Sequence, residues 1–161
     1  MGRTIEKVKI QNYTDIVDAK KGLIAESEIR TVEVEGIADT GATYLCLPPS
    51  VIEQLGLLYS HSRRVKTVDG IVERRFFGGA DITIQGRNEQ MSVMENDYQT
   101  PALIGFLVWT TLDFVVDAVS QTLMPNPEHD GKWMADCLSP FTEVAMDSIL
   151  EPKTLTNERR F

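Results

Sequence analysis

The chain has 161 residues, 42 % of them hydrophobic, with a formal net charge of −8 at pH 7, which suits one domain, or a small domain with an appendage. That acidic balance, without a basic stripe, argues against a nucleic-acid partner. No apolar run approaches the roughly 20 residues that span a bilayer, so no membrane partner is expected.

Lys7 to Tyr13 alternates loosely between apolar and polar residues and predicts a first strand. Asn12-Tyr13-Thr14-Asp15 offers turn chemistry, and Ile16 to Ala19 is expected to return as a second strand. Gly22 to Ser27 reads as a loop or short turn. Glu28 to Ala38 predicts the strand that ends at Asp39, with clear alternation from Ile29 to Val34. Asp39-Thr40-Gly41-Ala42 then sets one carboxylate among small residues, where other backbone can approach closely. Gly41 allows a tight turn, and Thr40 and Thr43 supply hydroxyls.

Tyr44 to Leu47 predicts the strand leaving this turn, and Cys46 within it reads as a small core residue. Pro48-Pro49-Ser50 starts a helix. Val51, Ile52, Leu55 and Leu58 fall at helical spacing, with Gly56 as the C-cap of a short helix ending near Leu55. Arg64 to Val68 and Ile71 to Phe77 predict a hairpin turning at Asp69-Gly70. Gly78-Gly79 marks a break or bulge. Ala80 to Gln85 and Glu89 to Glu95 read as strands about a Gly86-Arg87-Asn88 turn, and Asn96 to Thr100 as a loop. After Leu103-Ile104-Gly105, Phe106 to Leu112 predicts a short buried helix. Asp113 to Val119 and Gln121 to Met124 close the series as strands. Pro125-Asn126-Pro127 ends the domain, so the expected division is a folded unit over 1–127 and an appendage over 128–161, polar apart from Trp133 and Phe141. Many short strands, one or two short helices and frequent glycine turns predict a mainly β domain, a small barrel or sandwich.

The Asp39-Thr40-Gly41-Ala42 stretch resembles the signature of the aspartic proteases, in particular the retropepsin-like family. Leu103-Ile104-Gly105 before a helix resembles that family's second conserved triplet. The order of strand, motif, helix, hairpin and strands agrees from about Glu28 to Pro127. Ile10 to Asp15 and Leu123 to His129 resemble its small bacterial branch. The resemblance implies a closed β-barrel, Asp39 as the catalytic residue, and Thr40, Gly41 and Ala42 as its support. It places the flap over the substrate at Val68, Asp69, Gly70 and Ile71. Viral flaps are glycine-rich, and this one carries only Gly70.

Peptide hydrolysis by this route needs two carboxylates sharing one proton, and the chain supplies one Asp-Thr-Gly. A homodimer acting on a polypeptide substrate is therefore expected, each copy giving one Asp39. The alternative is a dimeric module of the same fold that binds a peptide or protein without cutting it. Cys46 and Cys137 lack metal-ligand spacing, and His61 and His129 stand isolated, which predicts neither metal nor cofactor. Two cysteines read as reduced thiols, and an N-terminus without a signal peptide's apolar core predicts a cytoplasmic location. Gly2 is discounted as a myristoylation site because Glu6 holds the acceptor position. The bland readings are solvated faces for Arg63-Arg64 and Arg74-Arg75, solvated or turn-capping roles for Asp81, Asp113 and Asp117, and core positions for Phe76, Phe77 and Trp109.

Overall fold

The computed structural model describes residues 3–137; Gly2, Phe141 and the expected appendage from 138 onward lie outside the described residues. The elements are β1 (Ile5–Asn12), α1 (Tyr13–Lys20), β2 (Thr31–Ala38), β3 (Leu45–Leu47), α2 (Pro49–Leu55), β4 (Leu58–Thr67), β5 (Gly70–Ile84) and β6 (Arg87–Glu95). They continue with β7 (Ala102–Ile104), α3 (Phe106–Thr111), β8 (Phe114–Asp117) and β9 (Thr122–Pro125).

The fold is mainly β, and six strands close into a barrel. Pairing runs β1-β2-β7-β3-β6-β5, and β5 pairs back onto β1. β2 and β7 are parallel, as are β3 and β6, whereas β3 meets β7 antiparallel. Val8, Leu45, Leu47, Ile82, Val93 and Ile104 are wholly buried inside. β3 is buried along its full length, as expected of an apolar strand covered on both faces. β4 lies outside the barrel and, among the described residues, pairs only with β5. β5 belongs to both parts: its first half makes a hairpin with β4, its second half a barrel stave. The register slips between Phe77 and Ala80, and Gly79 takes φ 79°, so the expected Gly78-Gly79 bulge bends the strand without ending it.

Several expectations need correction. Ile16 to Ala19 is helical, not a strand, which gives three α-helices among the described residues rather than one or two. The turn chemistry of Asn12 to Asp15 starts this helix: the Asn12 side chain accepts the Asp15 amide at 3.1 Å as an N-cap. Asp15 then binds Arg30 through two side-chain hydrogen bonds of 2.8 Å and one from the Arg30 amide at 3.0 Å. The β4–β5 loop is Val68-Asp69, because Gly70 already pairs with Thr67. The β5–β6 loop is Gln85-Gly86, whose φ values of 48° and 81° match a primed hairpin turn, and Arg87 and Asn88 lie in β6. α2 begins at the proline and stops at Gly56 as expected. There φ is 60°, and Arg30 crosses so closely that a Cβ would stand 1.7 Å from its Nη1.

Asp113 is not solvated, and His129 is not isolated. Asp113, with φ 59° and 6 % exposure, accepts His129 Nδ1 at 2.8 Å, the Asn126 side chain at 3.0 Å and the Met134 amide at 3.0 Å. Arg87 donates to the Leu112, Asp113 and Gly131 carbonyls at 2.8–2.9 Å. These bonds tie the described residues after β9 to the barrel. Asp81 is also buried, with the Asn88 side chain donating to it at 3.2 Å, while Asp117 caps the turn at Val119 and Ser120 as expected.

Candidate active site

Asp39 stands one residue beyond β2, and its position is set by backbone. Its amide donates to the Ile104 carbonyl at 3.0 Å, continuing the β2–β7 ladder. The chain then turns back: the Ala42 amide donates to the Asp39 carbonyl at 3.2 Å, and Asp39 Oδ1 accepts the Gly41 amide at 2.8 Å. Oδ2 takes no hydrogen bond among the described residues. A Cβ at Gly41 would stand 3.2 Å from Oδ1, so the small residue lets the turn close on the carboxylate.

The second triplet holds this turn from behind. Phe106 and Leu107, opening α3, donate their amides to the Ala42 and Thr43 carbonyls at 2.8 and 2.9 Å. Such contacts need the two backbones to touch, and Gly105 provides the room. Below, Gly36 faces Ile104, where a Cβ would come within 2.8 Å of Cγ1. Cys46 is buried under the site as expected, and burial pushes its thiol up to about 12, with the Asp39 charge adding to the shift and Arg74 opposing it.

Two depressions meet at Asp39. One is a cleft of about 640 Å³ between the motif and the β4–β5 hairpin. Asp39, Gly41, Ala42 and Val68 line it, so four of the predicted site residues are brought together. The other is a groove of about 750 Å³ lined by Thr40, Ile37, Leu103 and Val116 among others. Asp69, Gly70 and Ile71 sit at the exposed hairpin end and do not line the cleft. Val68 at the tip is fully exposed.

The cleft also holds residues that sequence reasoning set aside. Phe76, expected in the core, is buried but forms the floor, with Tyr44 edge-on at 5.1 Å and His61 stacked on it at 4.9 Å. Phe77 is a core residue as expected. Trp109 packs against the core half-buried, its indole Nε1 without a partner among the described residues. Arg63, Arg64 and Arg74, expected on solvated faces, line the cleft, whereas Arg75 leaves it to pair with Glu95 at 2.7 Å. Alternation along a hairpin of known register signals the separation of Arg63 and Arg74 from Arg75, though not the place of Arg64.

Among the described residues no group of three His, Cys, Asp or Glu is placed to hold a metal ion. No described helix is long and apolar enough to cross a membrane.

A closed barrel with Asp-Thr-Gly at a strand end, locked by a glycine triplet and faced by a hairpin, defines a retropepsin-like acid protease fold. Residues 25–108 match the aspartyl protease family, whose clan is the retropepsin-like one, and the chain belongs to that family. No curated protein matches the chain.

Proposed function

We propose that the chain is an aspartic endopeptidase acting as a two-fold homodimer, with Asp39 of each copy forming one catalytic dyad. The observation that carries this reading is the single Asp-Thr-Gly turn, whose carboxylate keeps one oxygen without a hydrogen bond among the described residues, beside a peptide-sized cleft. One such carboxylate cannot act as both acid and base, and a two-fold axis through the turn supplies the second.

Two facing carboxylates about 3 Å apart share one proton. The ionised one takes a proton from water as the oxygen attacks the scissile carbonyl carbon. The protonated one gives its proton to the carbonyl oxygen. The tetrahedral gem-diol then breaks its C–N bond as one of its hydroxyls gives a proton to the ionised carboxylate and the leaving nitrogen takes a proton from the protonated one. One proton remains on the pair, and the cycle restarts. The Gly41 amide orients the carboxylate, the Ala42 amide holds the turn, and the Thr40 hydroxyl reaches toward the partner. The apolar groove beside Thr40 supports that assignment, since it is continuous with Asp39 and offers Ile37, Leu103 and Val116 for burial. The substrate lies extended between the cleft floor and the hairpin, with Val68, Asp69, Gly70 and Ile71 as the flap that covers it.

The test is cleavage of a peptide library at several pH values, with sedimentation run in parallel. The expected result is a dimer that cuts peptides in acid or mildly acid solution. A monomer that cuts peptides overturns the shared dyad. A dimer that cuts none across the range makes the fold a peptide-binding module instead.

A further inference from the structure

The chain carries 24 acidic and 16 basic residues, yet the cleft beside Asp39 has the opposite balance. Arg63, Arg64, Lys66 and Arg74 line it, and among the described residues Asp39 is the one carboxylate that does. Two of these cations are placed by backbone register. Arg63 pairs with Arg74 across β4 and β5, and His61 pairs with Phe76 two positions further on. Side chains alternate along a strand, so Arg63 and Arg74 share the face that carries Phe76.

Their settings differ from those of Arg30 and Arg75. The Arg63 guanidinium lies 4.4 Å from the Phe76 ring centre and 5.0 Å from that of Tyr44, and it donates to the Tyr44 hydroxyl. It has no carboxylate partner among the described residues. Arg74 has only a loose one, Asp97 Oδ2 at 3.8 Å, beyond hydrogen-bond range. By contrast Arg30 and Arg75 are each held by a carboxylate at 2.7–2.8 Å. The remaining acids nearby are engaged elsewhere: Glu95 with Arg75, Asp97 also with Thr100 and the Gln99 amide, while Glu73 lies opposite Arg64. Like charges opposite one another on one face of a hairpin are destabilising, and an anion between them relieves the repulsion. Flat guanidinium groups on aromatic rings keep their edges open for a two-pronged carboxylate contact.

We infer that the cleft selects polypeptide segments carrying a glutamate or aspartate, whose carboxylate is bound between Arg63 and Arg74 on the hairpin. This rests on the proposed reading of the cleft as a polypeptide site. The cationic wall also opposes the charge of the Asp39 pair, so an acidic substrate is held by the hairpin rather than repelled by the dyad.

The experiment uses full-length protein with Asp39→Asn, which keeps peptides intact, and fluorescein-labelled decapeptide pools. Each pool fixes Glu, Gln or Lys at one position in turn, and binding is read by anisotropy. At one or two positions the Glu pool is expected to bind about 10- to 100-fold more tightly than the Gln pool, as charge-assisted hydrogen bonds allow. The Lys pool binds weakest, and added salt narrows the gap. Arg63→Gln with Arg74→Gln removes the preference but keeps the affinity for the Gln pool. Lysine at both positions retains part of the preference, having the charge without the fork. A thermal melt checks the fold, and Arg63→Gln alone, an exposed position, is read if the double variant unfolds. Equal binding of the Glu, Gln and Lys pools, no binding of any pool, or a preference unchanged in the arginine variants overturns the inference. The same pools given to the parent protein separate the two readings. Glutamate preference without cleavage ends the proteolytic one alone; cleavage without glutamate preference ends this one alone.

Discussion

Gly105 lies against Tyr44 so closely that a Cβ there would stand 2.3 Å from the Tyr44 carbonyl oxygen and 2.5 Å from its nitrogen. The neighbours are backbone atoms of the Asp39 turn, and they cannot swing aside as a side chain would. Gly105→Ala should therefore cost stability at or above the upper end of the roughly 1–3 kcal/mol usual for overpacking. Because φ at this position is −81°, the effect is steric and not one of backbone preference. Urea unfolding followed by circular dichroism measures it. An alanine variant as stable as the parent would show that β7 and the turn are not in contact as described.

Asn12 joins three elements, since its carbonyl oxygen caps α1 while its amide donates to the Leu55 and Gly56 carbonyls at 2.9 and 3.2 Å. Asn12→Ala should lose about 2–3 kcal/mol, a cap plus the cost of leaving buried carbonyls unpaired. Asn12→Asp keeps the cap and loses the donor, so its midpoint in urea should fall between parent and alanine. Equal loss in both variants would assign all of the effect to the carbonyls of α2.

The Asp113–His129 pair gives stability a definite pH window. Burial pushes Asp113 up, but His129, the Met134 amide and Asn126 outweigh it and hold the carboxyl at about 2. His129 is raised by its bond to Asp113, against burial and with help from Asp136. A depressed carboxyl stabilises above its ordinary 3.8 and loses that contribution as pH falls toward about 2. A raised histidine stabilises fully below its ordinary 6.5 and loses that contribution as pH climbs through its folded value. The parent should exceed His129→Gln in urea midpoint most strongly between these limits, with the gap closing on both sides. A gap constant with pH would assign the difference to packing alone.

What was readable in the chain depended on how far each feature reaches. α2 announces itself locally through Pro49, the spacing of Ile52 and Leu55, and Gly56. α1 does not, because Ile16 and Val17 side by side suit strand and helix alike; the deciding contacts are the Asn12 cap and Arg30 beyond the loop. Asp39 stood out by its neighbours in sequence. The arginine pair was hidden by register. A turn at Asp69-Gly70 would set Arg64 against Arg75, whereas the observed Val68-Asp69 loop sets Arg63 against Arg74. Nothing local marks Asp113 and His129 as partners, since 16 residues separate them and the pairing of Phe114 with Pro125 in the β8–β9 hairpin brings them together.

Asp39→Asn is the variant that bears on the chemistry itself. The amide matches the carboxylate in shape and can still accept the Gly41 amide at Oδ1, so fold and turn should survive. It cannot take a proton from water or hold a shared one. In a symmetric dimer one substitution removes both members of the dyad, so the loss of kcat/KM should exceed the roughly 10²–10⁴-fold of a single acid–base group. If each active site needs one Asp39 from each copy, a mixed dimer is inactive. Adding an equal amount of variant to a fixed amount of exchanging parent should then leave about half of the parent homodimers, and half of the activity. Excess variant should drive activity toward zero. Repulsion between two carboxylates is absent from the mixed dimer, so pairing with the variant should be no weaker than pairing between parents. The measurement is initial cleavage rate against variant concentration, with sedimentation confirming exchange. A rate that stays flat while mixed dimers form would mean that one Asp39 suffices, and the shared dyad would have to be abandoned.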